Sequence, residues 1–188
     1  MARGRRVNSS GEKSKQLLLE KAIELFSTHG YHQTKISDIV KAANLTQPTF
    51  YLYFQSKESL FKDLNTEFQT RLYETFDYGL KHAACVRTEL FENLKRVFAY
   101  FVQNPHLTKI GFYASEDAED VKNNLVKRII KIVEVKQDHH VDAQTLAESI
   151  VGSIERLTLT NLLTYEKEPE KLAEDIVNIY FVKQAELV

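Results

Sequence analysis

The chain has 188 residues, 43% of them hydrophobic and 27% charged, with a formal net charge of -1. That balance excludes an intrinsically disordered chain, and the length suffices for one sizeable core or a small module joined to a larger one. A single cysteine, Cys85, excludes an intramolecular disulfide, and no apolar run approaches the ~20 residues of a membrane span, so a soluble, cytoplasmic protein is expected.

Charge is unevenly spread. Residues 1–60 hold nine Lys/Arg against five acids, a surplus near +4, and the remainder has a deficit near -5. A basic head on an acidic body suits a protein that docks one end on a polyanion, with chance asymmetry as the competing reading. Residues 1–11, with Arg3, Arg5 and Arg6, read as a flexible basic arm. No signal-type apolar stretch follows the arm directly.

Glycine and proline are sparse, and apolar residues recur with helical period throughout, which predicts an all-α chain of about nine helices. The first is expected from Glu12 to His29. Ser9 stands at capping-box spacing from Glu12, Leu18, Ala22, Leu25 and Phe26 form the buried stripe, and Gly30 supplies a left-handed terminator. A short second helix is expected from Lys35 to Ala43 behind Thr34 as N-cap. Asn44-Leu45-Thr46 form a turn, and a third helix, Gln47 to Phe54, starts behind Thr46 with Pro48 in its first turn. Ser56 caps a long helix from Lys57 to about Lys81. Five more are placed at 86–104, 106–115, 117–137, 142–165 and 169–187, with Asp142 as a cap and Pro169 at a helix start. A domain seam is expected near Leu60, separating residues 12–60 from 61–188, with no glycine-rich linker.

Two short helices joined by a three-residue turn match a helix-turn-helix, whose second helix enters the DNA major groove. Gln47, Thr49, Tyr51 and Tyr53 read as outward-facing, and Phe50 and Phe54 as core. A glutamine offers a donor and an acceptor together, which suits an adenine edge, while Pro48 and the Thr49 methyl can pack on a thymine methyl. Thr34 and Thr46 stand at helix N-termini that favour a phosphate, and Tyr51, Tyr53 and Lys57 carry groups that pair with phosphate oxygens. A helical hairpin that merely packs, with Tyr51 and Tyr53 as half-buried structural residues, remains the alternative on spacing alone.

Residues 18–64 resemble the N-terminal domain of the TetR (tetracycline-repressor) family. Leu18-Leu19-Glu20-Lys21-Ala22-Ile23-Glu24-Leu25-Phe26 and His29-Gly30-Tyr31 resemble its first helix and that helix's end, and Thr34 to Ala43 its second helix. Thr46-Gln47-Pro48-Thr49-Phe50-Tyr51-Leu52-Tyr53-Phe54, followed by Ser56-Lys57-Glu58-Ser59-Leu60, is similar to its recognition helix and the start of its fourth. The resemblance implies phosphate contacts at Thr34 and Lys35, a DNA contact at Ser37, base reading at Gln47, Pro48 and Thr49, and backbone anchoring at Tyr51, Tyr53 and Lys57. The chain departs from the commonest family pattern at Gln47, Pro48 and Leu52, which makes its operator its own. The basic arm has two readings, a minor-groove contact or a solvated tail.

The resemblance further implies a homodimer formed by the last two helices and a small-molecule effector bound within the others. Leu146, Ile150, Ile154, Leu157 and Leu162 form an apolar seam beside the small residues Ala147, Gly152 and Ser153. Leu172, Ile176, Ile179, Tyr180 and Lys183 continue it, and packing within one chain is the competing reading. Phe68, Phe98, Phe101, Phe112 and Tyr113 are candidates to line a hydrophobic effector pocket, with Glu92 and Glu116 as polar contacts; helical aromatic stripes are more often core. Asp138, His139, His140 and Asp142 read as a solvated loop, not a metal site, and Cys85 as packing filler. No phosphate loop or nucleophile–base pattern points to an enzyme, and no cofactor is implied. The expected function is a dimeric DNA-binding repressor released from a palindromic operator by a hydrophobic effector. The rivals are a DNA-architectural factor without an effector, and a ligand-binding or enzymatic helical protein whose helix-turn-helix is vestigial.

Overall fold

The structure, a computed structural model, describes residues 9–78, 85–134 and 141–181. Among these residues it is all-α, with no strand. The helices are α1 Ser9–His29, α2 Ile36–Ala42, α3 Gln47–Tyr51, α4 Lys57–Asp77, α5 Val86–Gln103, α6 Pro105–Thr108, α7 Ala118–Val133, α8 Ala143–Leu157 and α9 Pro169–Tyr180. Two π-helical segments, Lys109–Ala114 after α6 and Thr158–Leu162 after α8, extend their helices with a wider turn. The basic arm with Arg3, Arg5 and Arg6, the Asp138–His140 loop and Lys183 lie outside the described residues.

The chain divides into two compact units, Met1–Glu67 and Phe68–Val188. The division falls within α4 and seven residues beyond the seam expected at Leu60. In the first unit, Leu18, Ala22 and Phe26 on α1 form one buried i, i+4, i+8 stripe. Ile39, Val40, Phe50, Phe54, Leu60 and Leu64 complete that core. Phe26 meets Phe61 edge-on at 5.4 Å, and Tyr31 lies 4.5 Å from Phe61. Gly30 ends α1 with φ +87°, and its N–H donates to Phe26 O at 3.0 Å, as the sequence predicts.

Local geometry corrects several expected boundaries. The first helix begins at Ser9, three residues earlier than expected, so Ser9 lies inside it instead of capping it. The N-cap of α2 is Lys35, not Thr34. The Lys35 N–H is satisfied from within, by Asp38 Oδ2 at 3.0 Å. Helix α3 stops at Tyr51 instead of Phe54. Cys85, read as filler, is exposed at the N-cap of α5, with Sγ 3.1 Å from Thr88 Oγ1.

In the second unit, α9 packs on α5 and α8, and α7 packs on α5 and α8. Lys95–Glu170 at 2.9 Å and Lys122–Glu155 at 2.7 Å bridge these helices at their rims. Leu90, Val97, Phe98, Phe101, Val121, Leu125, Ile129, Ile150, Ile154, Leu172 and Ile176 fill the interior between them. The π-helical segment after α6 owes its place to Gly111. A Cβ on that residue would lie 2.2 Å from Phe68 Cδ1, so the Phe68 ring rests directly on bare backbone.

Candidate nucleic-acid interface

The turn between α2 and α3 is built by a residue that tolerates the left-handed region. Asn44 has φ 52°, and the Leu45 N–H donates to Val40 O at 2.8 Å, closing the end of α2. Thr46 then caps α3 by accepting the Thr49 N–H at 3.4 Å, and Pro48 occupies the first turn, where no helical N–H bond is lost. The Thr46 and Thr49 hydroxyls also lie 2.9 Å apart. One donates to the other, so one hydroxyl proton remains for an outside acceptor.

Exposure along this segment follows an i, i+4 ladder. Gln47 with Tyr51 and Pro48 with Leu52 are exposed, Thr49 with Tyr53 are half-buried, and Phe50 with Phe54 are buried. The expected alternation of outward residues at 47, 49, 51 and 53 is therefore corrected. A helix turns about 100° per residue, so alternate positions cannot share one face. Leu52, missed as a surface residue, is 77% exposed, and Tyr51 is 55% exposed. The signal available in the sequence was its helical position, four residues after Pro48.

On α2, Lys35, Ser37 and Lys41 are exposed. With Thr46, Gln47, Pro48, Tyr51 and Leu52 they make the open polar and basic surface of the helix-turn-helix. Two expected phosphate ligands are turned inward. Thr34 is 2% exposed, and its hydroxyl donates toward Gly30 O at 2.9 Å and Leu25 O at 3.4 Å. Lys57 Nζ donates to Tyr31 O at 2.9 Å and Thr34 O at 3.0 Å, and sits 4.2 Å from the Tyr31 ring centroid. Both residues fasten the α1–α2 turn. Beside them, the Glu58 carboxyl is held below its usual range, first by the Ser56 hydroxyl and then by backbone N–H and Tyr31 hydrogen bonds.

A family model of bacterial regulatory proteins, the tetR family, matches residues 18–64, the segment that builds this surface. The chain is 37% identical over 183 residues to YdgC, an HTH-type transcriptional regulator of Bacillus subtilis, covering 92% of this chain and 93% of that one. The chain belongs to the TetR family. It is a DNA-binding transcriptional regulator, not an enzyme. Its fold matches a TetR-like regulator from Rhodococcus with TM-score 0.80 at 19% identity, covering 96% of this chain and 97% of that one. It also matches a Bacillus subtilis regulator, FadR, solved in complex with stearoyl-CoA, with TM-score 0.66 at 19% identity, covering 89% and 98%.

The TetR-family C-terminal region departs from both expected sites. Phe68, Phe98, Phe101 and Phe112 are each 0% exposed and pack on one another, with Phe68–Phe101 centroids 6.3 Å and Phe101–Phe112 centroids 5.2 Å apart. They are packed core instead of the walls of an open pocket. Tyr113 spends its hydroxyl on Glu155 O at 2.7 Å, and burial, aided by the Glu155 charge, pushes its phenol well above its usual range. Glu116 faces solvent. Of the expected dimer residues, Leu146, Ile150, Ile154 and Ile176 are buried within the chain itself, on helices that pack against α5, α7 and each other. Leu157 and Tyr180 are half-buried, and Tyr180 Oη is tied to Ser149 O at 2.8 Å. Ile179 is 64% exposed. The outer face of α8 carries Ser149, Gly152, Arg156 and, one turn on, Leu159; a Cβ at Gly152 would meet open space. Among the described residues no helix is long and apolar enough to cross a membrane.

Proposed function

We propose that this TetR-family regulator is a homodimeric repressor that binds a palindromic operator through α3 and releases it when a small effector occupies the second unit. The observation that carries the reading is the exposed ladder of Gln47, Pro48, Tyr51 and Leu52 behind a satisfied Thr46 cap. Gln47 and Pro48 are at the start of α3, where a recognition helix touches base edges, and Lys35, Ser37 and Lys41 flank it with phosphate-binding groups. A dimer supports the reading physically, since two such helices read successive major grooves about 34 Å apart. In the second unit, the outer α8–α9 face leaves Leu159 and Ile179 uncovered beside Gly152, where a helix can approach closely.

The fold shared with a regulator solved with stearoyl-CoA makes an apolar acyl compound the first effector class to test. Such a chain would part the Phe68, Phe101 and Phe112 rings, so occupancy and a shift of the Phe68–Gly111 contact belong together. Linkage then requires that effector affinity fall by the factor by which operator affinity falls.

Selection of binding sites from random duplex DNA tests the whole reading. The expected result is a palindrome with half-sites one helical turn apart, bound with steep salt dependence. Ile179→Glu is expected to give a monomer by sedimentation and to weaken operator binding sharply. An unstructured set of selected sequences, or a monomer that binds as well as the parent, overturns the proposal.

A further inference from the structure

Helices α4, α5 and α7 border an open cleft of about 340 Å³ in the second unit, with none of Phe68, Phe98, Phe101 and Phe112 in its walls. Its walls are charged in opposite senses. The acids come from α4 and α5, as Asp77 and Glu89, and the bases from α7, as Arg128 and Lys131. Arg128 Nε is already paired with Asp77 Oδ1 at 3.1 Å. Among the described residues, Glu89 and Lys131 have no ion-pair partner.

Asn93 also lines the cleft. It is 3% exposed, and its Oδ1 is buried without a hydrogen-bond partner. A buried amide oxygen left unpaired is unfavourable, and a turn of the Asn93 amide toward the cleft would let it accept a hydrogen bond from a ligand's donor. Glu89 precedes Asn93 by four residues, so both stand on one face of α5. Lys131 follows Arg128 by three on α7. Phe76 and Ile132 add an apolar patch between the two charged walls.

A plain anion entering this cleft meets two carboxylates, and a plain cation meets two bases. A ligand with both charges fits both walls. The volume lies at the small end of ligand pockets, which calls for a compact molecule. We propose that the cleft is a binding site for a small zwitterion of the amino-acid class. The ligand's carboxylate lies toward Lys131 and Arg128, and its ammonium toward Glu89 and, once the Asn93 amide turns to the cleft, Asn93 Oδ1. Its side chain rests on Phe76 and Ile132. Asp77 and Phe76 end α4, so the ligand holds α4, α5 and α7 together at that end.

Isothermal titration of the purified full chain, free of DNA, with each proteinogenic amino acid in turn tests the site. At least one is expected to bind saturably. Its decarboxylated amine and its deaminated acid are each expected to bind about tenfold or more weakly. Glu89→Gln and Lys131→Gln change solvent-facing charges, leave the helical circular dichroism intact, and are expected to weaken binding by a similar factor. The proposal is overturned if no amino acid binds at millimolar concentration, if the deaminated acid binds as tightly as its parent, or if both variants bind like the parent. Because DNA is absent from the measurement, none of these results bears on the operator reading.

Discussion

Aromatic and aliphatic groups are used in opposite ways in the two units. In the first, Tyr51 and Leu52 stand at 55% and 77% exposure at the end of a five-residue helix. In the second, Phe68, Phe98, Phe101 and Phe112 are sealed at 0% exposure against one another. The first pair is left open beside bases and hydroxyls, whereas the rings of the second unit are closed in by one another and by the Gly111 backbone, as core residues are. The same contrast holds for polar groups. The hydroxyls of Thr46 and Thr49 keep one proton for an outside acceptor, while Tyr113 gives its own to a backbone carbonyl.

The sharpest way to break this comparison is to remove the exposed ladder. Gln47→Ala combined with Tyr51→Ala is expected to weaken operator binding on the order of a hundredfold or more, since each good base or phosphate contact contributes about 1–3 kcal/mol. Circular dichroism should stay unchanged, because both side chains point outward. Unchanged binding in a gel-shift assay would show that α3 does not read the DNA.

Next in size is Gly111→Ala. Its Cβ would collide with the Phe68 ring, and overpacking of this kind costs about 1–3 kcal/mol. Chemical denaturation should register the loss as an earlier midpoint. A neutral effect would mean that the ring is free to move aside.

Lys57→Met sharpens the assignment of clamp against phosphate ligand. Losing the bonds to Tyr31 O and Thr34 O should lower thermal stability and operator affinity together. The slope of affinity against salt should stay the same, because no phosphate contact is lost. A slope shallower by about 0.9 would instead identify Lys57 as a phosphate ligand.

The smallest effect concerns Asp142, the cap of α8. The Thr145 N–H at 2.9 Å, followed by its hydroxyl, holds the Asp142 carboxyl below the usual value of 3.8. A lowered folded value stabilises the fold above the unfolded value, and that contribution fades as pH falls through the folded one. Acid unfolding of Asp142→Asn should therefore lack a small component below pH 3.8. Identical acid curves for parent and variant would remove the cap from the account.

Much of the candidate interface, and two helix starts of the second unit, was legible from local rules. The left-handed Gly30, the Thr46 cap, Pro48 in the first turn, and the Asp142 and Pro169 helix starts depend on neighbours a few residues away, and all are present. Thr34 and Lys57 were not legible as clamps. The partners of Thr34 lie four and nine residues off and those of Lys57 23 and 26, across a turn whose path local rules do not give, and a hydroxyl or ammonium reads equally well as a ligand of an outside phosphate or of an inside carbonyl.

By itself the sequence determined the all-α architecture, the caps and the helix-turn-helix, because helical period and capping chemistry are short-range. Only the tertiary structure decided which apolar stripe became core. Leu146, Ile150, Ile154 and Ile176 carry the same pattern as a dimer seam, yet α5, α7 and the α8–α9 pairing cover them, leaving Gly152, Leu159 and Ile179 outside. Periodicity says that a face will be buried; which face remains open depends on the neighbours that reach the others first.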